Sequence, residues 1–244
     1  MIKPKILLYD IETTPSEGWF WGGRKHDQNI LKVTKEREIL SVAWKWYGDS
    51  SIQHNTRQGE SSDKRLTKFI GDLLNEADIS IAYNGDNFDI KVARTRMIYH
   101  YPDCPIKRQT TVDPCKVARR SFSFTGNSLS DLVTFFNLGE KTATPGLSMW
   151  LGCMSDDEAS WKRMIKYNRN DVVLLTKVYR ILRPWIENHP NVRRLMDPRA
   201  ADGTCPACCS LKTQKRGFKA TSRFVQQQWN CQACGHWFLT AVKK

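Results

Sequence analysis

The residues of this chain most capable of chemistry are acidic side chains that lie at the ends of apolar segments. Asp10 and Glu12 end the strand-like run ILLYDIET. Asp89 follows the apolar run and turn IAYNGDNFD, and Asp171 lies in the helix-like segment YNRND. Carboxylates without neighbouring His or Cys favour hard divalent cations such as Mg²⁺ or Mn²⁺. Two such ions about 3.5–4 Å apart can drive hydrolysis of a phosphodiester, so the pattern predicts a metal-dependent nuclease.

The segments that carry these acids predict how the fold positions them. Residues 5–11 form an Ile- and Leu-rich run typical of a strand covered on both faces. Side chains alternate along a strand, so Asp10 and Glu12 share a face, roughly 6–7 Å apart. Asp89 follows a predicted strand at 79–83 and lies in the first turn of a predicted helix at 88–99. Tyr167 and Asp171 are four residues apart on a predicted helix at 156–186 and so share one face.

The remaining periodicities predict strands and helices in a mixed order. Strands are expected at 38–47, 51–56 and near 110–112, and helices at 62–75, with Ser62 as its cap, and at 128–136. Residues 137–155 are interpreted as loop or short irregular helix. Strands first, then alternating strands and helices, predict an α/β fold with a mixed sheet flanked by helices.

With these settings, three segments resemble a known family. DIET, NGDNFD and YNRND are similar to the three motifs of the DEDD superfamily of 3′–5′ exonucleases, across about residues 5–185. Tyr167, four residues before Asp171, matches the "y" branch, also found in polymerase proofreading domains. Lys166 stands where the other branch has histidine. The resemblance implies a ribonuclease H-like fold with a five-stranded mixed sheet.

The resemblance also implies a role for each matching residue. Asp10 would bridge two Mg²⁺ or Mn²⁺ ions, Glu12 and Asp171 would complete the first ion's ligands, and Asp89 would hold the second ion. Tyr167 would orient the attacking water. Contacts to nucleic acid near the site are expected from Thr13, Thr14, Asn84 and Phe88.

Simpler interpretations of the same residues stay open. Asp10 and Glu12 could be a solvated strand end, and Asp89 a helix-start residue. Asp171 could be a surface charge on an amphipathic helix, and Tyr167 a packing residue, because aromatic side chains on helices are usually buried. Asp86 and Asp113 are interpreted as turn residues.

A second cluster, of cysteines, lies near the C-terminus. The pairs CPAC at 205–208 and CQAC at 231–234 are separated by 22 residues, a spacing typical of a closed four-thiolate zinc site. Gly235 permits the tight turn of a zinc knuckle. We therefore expect Cys205, Cys208, Cys231 and Cys234 to hold one structural Zn²⁺ in a zinc ribbon. Cys209 and, less strongly, His236 are alternative ligands, and a disulfide-paired cluster is the alternative to metal.

The charge of the chain indicates its partner. The formal net charge is +13, which favours nucleic acid or an acidic membrane surface. Residues 190–244 contribute +8 of this charge through ten Lys or Arg against Asp197 and Asp202. The cations are Arg193, Arg194, Arg199, Lys212, Lys215, Arg216, Lys219, Arg223, Lys243 and Lys244.

Aromatic residues interleave with these cations, a mixture suited to holding phosphates while stacking bases. The expected nucleic-acid contacts of the ribbon are Lys215, Arg216, Lys219, Arg223, Trp229 and Trp237. A solvated basic face above a core of aromatic residues is the alternative.

These observations predict a domain order and a function. A ribonuclease H-like exonuclease domain is expected at 1–187, a Pro-containing basic linker at 188–203 with Pro190 and Pro198, and the zinc ribbon at 204–244. The expected activity is 3′–5′ hydrolysis of DNA at single-stranded 3′ ends. An exoribonuclease of the same fold and a non-catalytic accessory protein that binds nucleic acid are the alternatives. Replication proteins are possible partners, and a viral or mobile element is a possible source.

The cellular setting is predicted from what the chain lacks. Its apolar runs are too short to span a bilayer, so no membrane contact is expected. The segment MIKPKILLYD runs directly into the first strand, so no signal peptide is expected. Scattered Cys104, Cys115 and Cys153 favour a reducing, intracellular and cytoplasmic location. A monomer is expected.

Overall fold

The computed structural model describes residues 4–21, 30–139, 146–197, 200 and 202–242. Within them the strands are β1 Ile6–Thr13, β2 Glu17–Phe20, β3 Ile30–Lys35, β4 Ile39–Trp46, β5 Gln53–Thr56, β6 Ile79–Ile81, β7 Thr111–Val112, β8 Thr213–Ala220, β9 Val225–Cys231 and β10 Trp237–Ala241. The helices are α1 Lys64–Glu76, α2 Asp89–His100, α3 Pro114–Ser121, α4 Leu129–Phe135, α5 Leu147–Met154, α6 Glu158–Leu182 and α7 Val192–Met196.

The main sheet has five strands in the order β5-β4-β1-β6-β7. β1 pairs antiparallel with β4 and parallel with β6, and β7 pairs parallel with β6. β1 is therefore the central strand, with hydrogen-bonded neighbours on both sides. The predicted α/β fold with a mixed five-stranded sheet flanked by helices is confirmed.

Alternate residues of β1 enter two different apolar cores. Ile6 and Leu8 pack in the core that includes the α6 residues Val172, Leu175 and Val178, together with residues of α3 and α4. The odd-numbered residues of β1, Leu7, Tyr9 and Ile11, pack in the core formed with α1 and α2. This alternation follows from the two-residue repeat of a strand. Asp10 and Glu12 continue the even-numbered face, so they extend toward α6.

Most of the helices and strands lie where the sequence pattern predicts them, with differences at ends and in short segments. The residue before α1 is Asp63 rather than Ser62, and its carboxylate makes no capping bond to the helix. α5 lies inside the segment 137–155 that is interpreted as loop or irregular helix. The sequence pattern missed α3, which begins at Pro114 after Asp113 caps it by accepting from Cys115 N–H at 3.0 Å.

The hairpin of β2 and β3 was also missed by the sequence pattern. In the sequence it lies between β1 and β4, and it forms a two-stranded sheet of its own. Its base is fixed to the main sheet by Thr14, whose backbone N–H donates to Glu38 O at 2.8 Å. The Thr14 hydroxyl oxygen accepts from Glu38 N–H at 2.9 Å.

A buried ionic cluster, the Asp63 cluster, joins β4 to α1 and α2. Asp63 is fully buried and accepts two hydrogen bonds from the guanidinium of Arg96, at 2.7 and 2.6 Å. It also accepts from Ile39 N–H at 2.9 Å and lies 2.7 Å from His100 Nε2. Burial alone would raise the pKa of Asp63, but these hydrogen bonds outweigh it and lower the pKa.

The C-terminal residues form a three-stranded sheet in the order β10-β9-β8, which together with the cysteine pairs we call the ribbon. β9 and β10 flank the second cysteine pair, and β8 pairs with β9 on its other side. Gly235 has the positive φ of 76° expected for the knuckle, and Gly203 has a φ of 91°. A side chain at Gly203 would collide with the Trp229 ring, because its Cβ would lie 2.9 Å from that ring.

The described part of the predicted linker at 188–203 packs on both neighbouring units. His189 is buried and lies 2.7 Å from the Tyr179 hydroxyl of α6. Val192 N–H, in α7, donates to Pro206 O at 2.9 Å. Pro198 and Arg199 lie outside the described residues, as do Lys243 and Lys244 of the predicted basic tail. The ribbon is thus held against the larger domain through this segment.

No helix in the described part of the chain has both the length and the apolar character needed to cross a bilayer.

Candidate metal and nucleic-acid site

Three of the predicted acids meet at the end of the central strand. Asp10, Glu12 and Asp171 each offer a carboxylate oxygen, and these oxygens all lie within 4.8 Å of one another. Asp10 and Glu12 come from the even-numbered face of β1. Asp171 lies on the stripe of α6 that also carries Leu175 and Val178, at spacings of three and four residues, so packing of this stripe brings its carboxylate to β1. This is a donor set that suits a hard divalent cation.

The fourth acid, Asp89, lies beside this group rather than within it. It is 2 % exposed, and its Oδ1 accepts from Ile11 N–H at 3.0 Å. This bond ties the first turn of α2 to β1 between Asp10 and Glu12. The carboxylate of Asp89 is close enough to raise the pKa of Asp10, so the four acids form one electrostatic site.

The pKa values of Asp10 and Asp89 are both raised, opposite to that of Asp63. Burial is the largest cause for Asp10, followed by repulsion from Glu12, Asp89 and Asp171, and together they hold its pKa well above the usual value. Burial raises the pKa of Asp89 to about 7, against two backbone hydrogen bonds that lower it. Crowded carboxylates with raised pKa values are stabilised as anions by a bound cation, so the electrostatics of this group fit a metal site.

Tyr167 lies one helical turn before Asp171 and is 9 % exposed. Burial and the neighbouring carboxylates of Asp171, Glu12 and Asp10 raise the pKa of its hydroxyl. The group therefore stays protonated at neutral pH. The ring also packs against Trp150, with centroids 6.1 Å apart, so the packing interpretation holds for its ring while its hydroxyl lies at the acids.

Asn168 and Ser41 also belong to this site, although neither was predicted. The Asn168 amide donates to Asp10 Oδ2 at 2.6 Å, and its carbonyl oxygen accepts from the Ser41 hydroxyl at 2.6 Å. A signal for Asn168 was present, because a polar residue three positions before Asp171 falls on the buried stripe of the helix. Ser41 could not be recognised before the β1–β4 register was known, which places it opposite Glu12.

The predicted nucleic-acid contacts near the acids are placed in different ways. Thr13 is half-buried at the end of β1. Thr14 is 2 % exposed and binds Glu38, so the structure gives it a role in holding the hairpin base. Asn84 has a φ of 58°, and its side-chain oxygen accepts from Asn87 at 3.0 Å.

Phe88 lies at the start of α2, directly before Asp89. It is half-buried, and the guanidinium carbon of Arg37 lies 5.8 Å from its ring centroid. Phe88 and Arg37 line a cavity of about 300 Å³ beside α2, the helix that begins with Asp89. Contact with nucleic acid stays a prediction for Thr13, Thr14, Asn84 and Phe88.

The two turn residues of this region have structural partners. Asp86 forms an ion pair with Lys116 at 2.6 Å. Asp113 accepts from Asn84 N–H at 2.8 Å in addition to capping α3. The interpretation of both residues as turn or cap residues agrees with these contacts.

The four predicted cysteines of the ribbon come together as a second group. Cys205, Cys208, Cys231 and Cys234 have sulfur atoms within 4.8 Å of one another, with pairs at 3.7 and 3.6 Å. Four thiolates about 2.3 Å from one tetrahedral Zn²⁺ would be separated by about 3.8 Å, so the spacing fits zinc. Neither Cys209 nor His236 belongs to this group. His236 is buried against His189 at the junction with the larger domain.

The ribbon surface is basic, but its aromatic residues divide into two kinds. Trp229 packs parallel to Phe238 at 6.2 Å, donates its ring N–H to Thr240, and has Lys215 Nζ 5.5 Å from its ring. Trp229 is therefore a half-buried packing residue, and its contact with nucleic acid stays a prediction.

Other aromatic residues of the ribbon face outward. Trp237 is 46 % exposed, and Phe218 and Phe224 are 63 % and 68 % exposed. The predicted cations Lys215, Arg216, Lys219 and Arg223 are all exposed. No acidic residue occurs between Gly203 and Val242 in the sequence, so this surface suits an anionic partner.

The comparisons with known proteins agree with this architecture. The sequence profile of the RNase H superfamily matches residues 32–183, and the chain belongs to this superfamily. The match begins after Asp10 and Glu12, so the place of these two acids in the site comes from the structure. The fold is a nuclease fold, and its acidic group could hold the divalent metal ions that nucleases of this class use. No curated protein matches the chain.

Among solved structures, the family B DNA polymerase from the hyperthermophilic archaeon Pyrobaculum calidifontis is similar in fold. The TM-score is 0.52 at 14% sequence identity, over 74% of this chain and 25% of the polymerase. The present chain thus corresponds to about a quarter of the polymerase's length.

Proposed function

We propose that this protein is a 3′–5′ exonuclease of the DEDDy type that hydrolyses DNA from single-stranded 3′ ends. The single observation that carries the proposal is the convergence of Asp10, Glu12 and Asp171 within 4.8 Å at the end of β1. Asp89 and Tyr167 flank this group in the positions that the exonuclease motifs assign to them.

The acids of the site would hold two divalent ions that bind the reacting phosphate. Asp10, Glu12 and Asp171 would hold one Mg²⁺ or Mn²⁺ ion, and Asp10 and Asp89 would hold the other. Bound ions of this kind supply a more acidic water and neutralise charge on the scissile phosphate and the departing 3′ oxygen. Tyr167, whose hydroxyl stays protonated, orients the attacking water and excludes bulk solvent with its ring.

DNA is favoured as the substrate over RNA because the structurally similar protein is a DNA polymerase. The alternatives are an exoribonuclease of the same fold and a non-catalytic replication accessory protein. Replication proteins are proposed as partners, with a monomer as the active form.

The proposal divides the chain into a catalytic domain at 1–187, a connecting segment at 188–203 and a nucleic-acid-binding ribbon at 204–244. The ribbon contains one structural Zn²⁺ on four cysteines. Zinc thiolates need reduced cysteines, so a reducing, cytoplasmic compartment belongs to the same proposal. The exposed cations of the ribbon hold the phosphate backbone of the strand whose 3′ end enters the acidic site.

Degradation of end-labelled oligonucleotides tests the activity. Purified protein is incubated with Mn²⁺ or Mg²⁺ and either single-stranded DNA, duplex DNA or RNA of the same sequence, labelled at the 5′ end. A ladder that shortens from the 3′ end on DNA is expected, with loss of activity in EDTA. Faster degradation of RNA would favour the exoribonuclease, and binding without degradation would favour the accessory protein.

The ribbon is tested through the salt dependence of binding to single-stranded DNA without added Mg²⁺ or Mn²⁺ and without chelator, which would remove the Zn²⁺. Replacing Lys219 and Arg223 by Gln should lower the slope of log affinity against log salt by roughly 1.4, at about 0.7 per phosphate contact. A control variant with Lys68→Gln and Lys162→Gln removes two cations that pair with acids on their own helices. Equal slopes in the two variants would indicate that the ribbon docks on a protein instead.

A further inference from the structure

A buried chain of hydrogen bonds leads from β4 through α6 to the central acid of the site. Asn168 is 1 % exposed and donates from Nδ2 to both oxygens that Asp10 presents to it, Oδ2 at 2.6 Å and the backbone O at 3.1 Å. Ser41 is also 1 % exposed, and its hydroxyl donates to Asn168 Oδ1 at 2.6 Å. The Ser41 side chain is thus hydrogen-bonded to Asn168, and Asn168 is hydrogen-bonded to both Ser41 and Asp10.

The chemistry of the three groups allows one orientation of the Asn168 amide. Asp10 offers two acceptors, and an amide turned by 180° would place its own carbonyl oxygen against them. The Ser41 hydroxyl is the donor that the carbonyl of Asn168 needs on the other side. Because Asn168 and Ser41 are both buried, loss of either bond would leave a polar group without water to replace it.

A neutral amide affects Asp10 differently from an arginine. It fixes the rotation of the carboxylate through a hydrogen bond and brings no positive charge of its own. The Asp10 carboxylate is therefore oriented by the amide but not neutralised by it. A charged donor in the same place would compete with a cation for the carboxylate.

We propose that Asn168 is a positioning residue for metal binding, which holds the Asp10 carboxylate in the orientation that the divalent ions require, with Ser41 holding Asn168 in turn. The inference rests on the metal site of the proposed function. It adds two residues that do not touch the ions or the substrate. Neighbours of this kind that orient a metal ligand typically change metal affinity or activity by about 10- to 100-fold when they are removed.

The test compares Mn²⁺ binding in four variants of the full chain. Asn168→Ala should raise the Mn²⁺ dissociation constant by about tenfold or more, and Ser41→Ala by a smaller factor, because it removes only the support of the amide. Thr176→Val is the matched control. It deletes a different buried hydrogen bond of α6, from the Thr176 hydroxyl to Val172 O at 2.7 Å, two turns away. Asp10→Ala removes the central carboxylate and shows how much Mn²⁺ binding remains when this site is lost.

Mn²⁺ binding is measured by electron paramagnetic resonance of the free ion, and folding by thermal melting in EDTA. Wild-type Mn²⁺ affinity in Asn168→Ala, or equal weakening in Thr176→Val, would overturn the inference. If Asn168→Ala does not fold, Ser41→Ala decides, and unchanged affinity in that variant overturns it.

The same measurement separates this inference from the exonuclease proposal, because it needs no substrate. If wild type binds Mn²⁺ and Asn168→Ala binds it more weakly, the positioning role stands even when no oligonucleotide is degraded. If wild type and Asp10→Ala bind Mn²⁺ equally, there is no metal at Asp10 to position, and the inference falls. In an active protein, Asn168→Ala should raise the Mn²⁺ concentration needed for half-maximal rate and leave KM for DNA unchanged.

Discussion

Asp10 and Asp63 are both carboxylates enclosed by the fold, yet their surroundings have opposite effects. The guanidinium of Arg96 and the N–H group of Ile39 bind Asp63, and its pKa is lowered despite burial. Three other carboxylates surround Asp10, and its pKa is raised despite the Asn168 amide. Asp63 forms an ion pair with a cation of the protein itself. Asp10 lies among other carboxylates, where a bound metal cation would relieve their mutual repulsion.

The difference shows how the same residue type serves stability in one region and function in the other. A buried carboxylate needs a partner, and in the Asp63 cluster the partner is covalently part of the chain. At the acidic site the neighbouring carboxylates raise the pKa of Asp10, so a bound metal ion would relieve their repulsion and stabilise the fold. A substitution at Asp10 should therefore lower activity without lowering stability, and a substitution at Asp63 should lower stability without changing metal binding.

The largest effect should come from Asp10→Asn. We expect the rate of DNA degradation to fall by on the order of 10³-fold, because the proposed mechanism would lose the ligand shared by both ions. The melting temperature in EDTA should stay the same or rise, because a repelled negative charge is removed. Wild-type activity, or a large loss of stability without metal, would break the contrast with Asp63.

Asp63→Asn should show the reverse pattern. The free energy of unfolding should fall by about 3 kcal/mol, at the lower end for a broken buried ion pair, because Arg96 loses Asp63 and is left with Glu38 at 3.7 Å. Urea denaturation in EDTA measures the change, with Asp72→Asn as a control that removes an exposed carboxylate paired with Lys68 on the same helix. The remaining folded protein should bind Mn²⁺ with wild-type affinity, and weakened binding would mean that the two regions are coupled.

The pH dependence of stability should also differ between the two regions. Asp89 has its folded pKa raised from 3.8 to about 7, so its neutral form stabilises the fold. This contribution is fully present below the unfolded pKa and is lost as pH rises through about 7. Asp63, with a lowered pKa, contributes stability that is present above its unfolded pKa and lost as acid is added below it.

Urea midpoints in EDTA between pH 4 and 8 measure the Asp89 contribution. In wild type the midpoint should fall as pH rises, and Asp89→Asn should make this fall smaller. In a separate series with saturating Mn²⁺ in place of EDTA, the fall should also be smaller, because metal binding requires the carboxylates to be ionised. A wild-type curve that rises steadily over this range would contradict the raised pKa of Asp89.

The smallest effect is expected from Tyr167→Phe. Its hydroxyl is a neutral group among the crowded acids, so its removal changes the orientation of water without changing the charge of the site. The single-turnover rate should fall by roughly 10- to 100-fold with Mn²⁺ affinity unchanged. An unchanged rate would leave only the packing role of the ring against Trp150.

The sequence was most informative where local patterns carry the chemistry. Asp10 and Glu12 could be assigned to one strand face, and Tyr167 and Asp171 to one helix face, because periods of two and about 3.6 residues need no tertiary information. The four cysteines were recognisable because zinc sites use short fixed spacings. The hairpin of β2 and β3 was missed because its exposed strands lack the alternation of buried and polar residues that marks a half-buried strand.

Exposure of the ribbon's aromatic residues was not predictable in the same way. Trp229 and Phe218 have the same kind of sequence context, with cations nearby. Only the pairing of β9 with both β8 and β10 shows that Trp229 is half-buried against Phe238 whereas Phe218 is exposed.

Residue types and their spacing alone determined the class of chemistry, since carboxylates and thiolates have metal preferences that do not depend on the fold. Tertiary structure decided which groups share a site and which are matched within the protein. It joined Ser41 and Asn168 to Asp10 across long sequence separations, and it paired Asp63 with Arg96 rather than with a metal. The physical reason is that electrostatic interactions depend on distance and burial in three dimensions, and neither can be obtained from the order of residues along the chain.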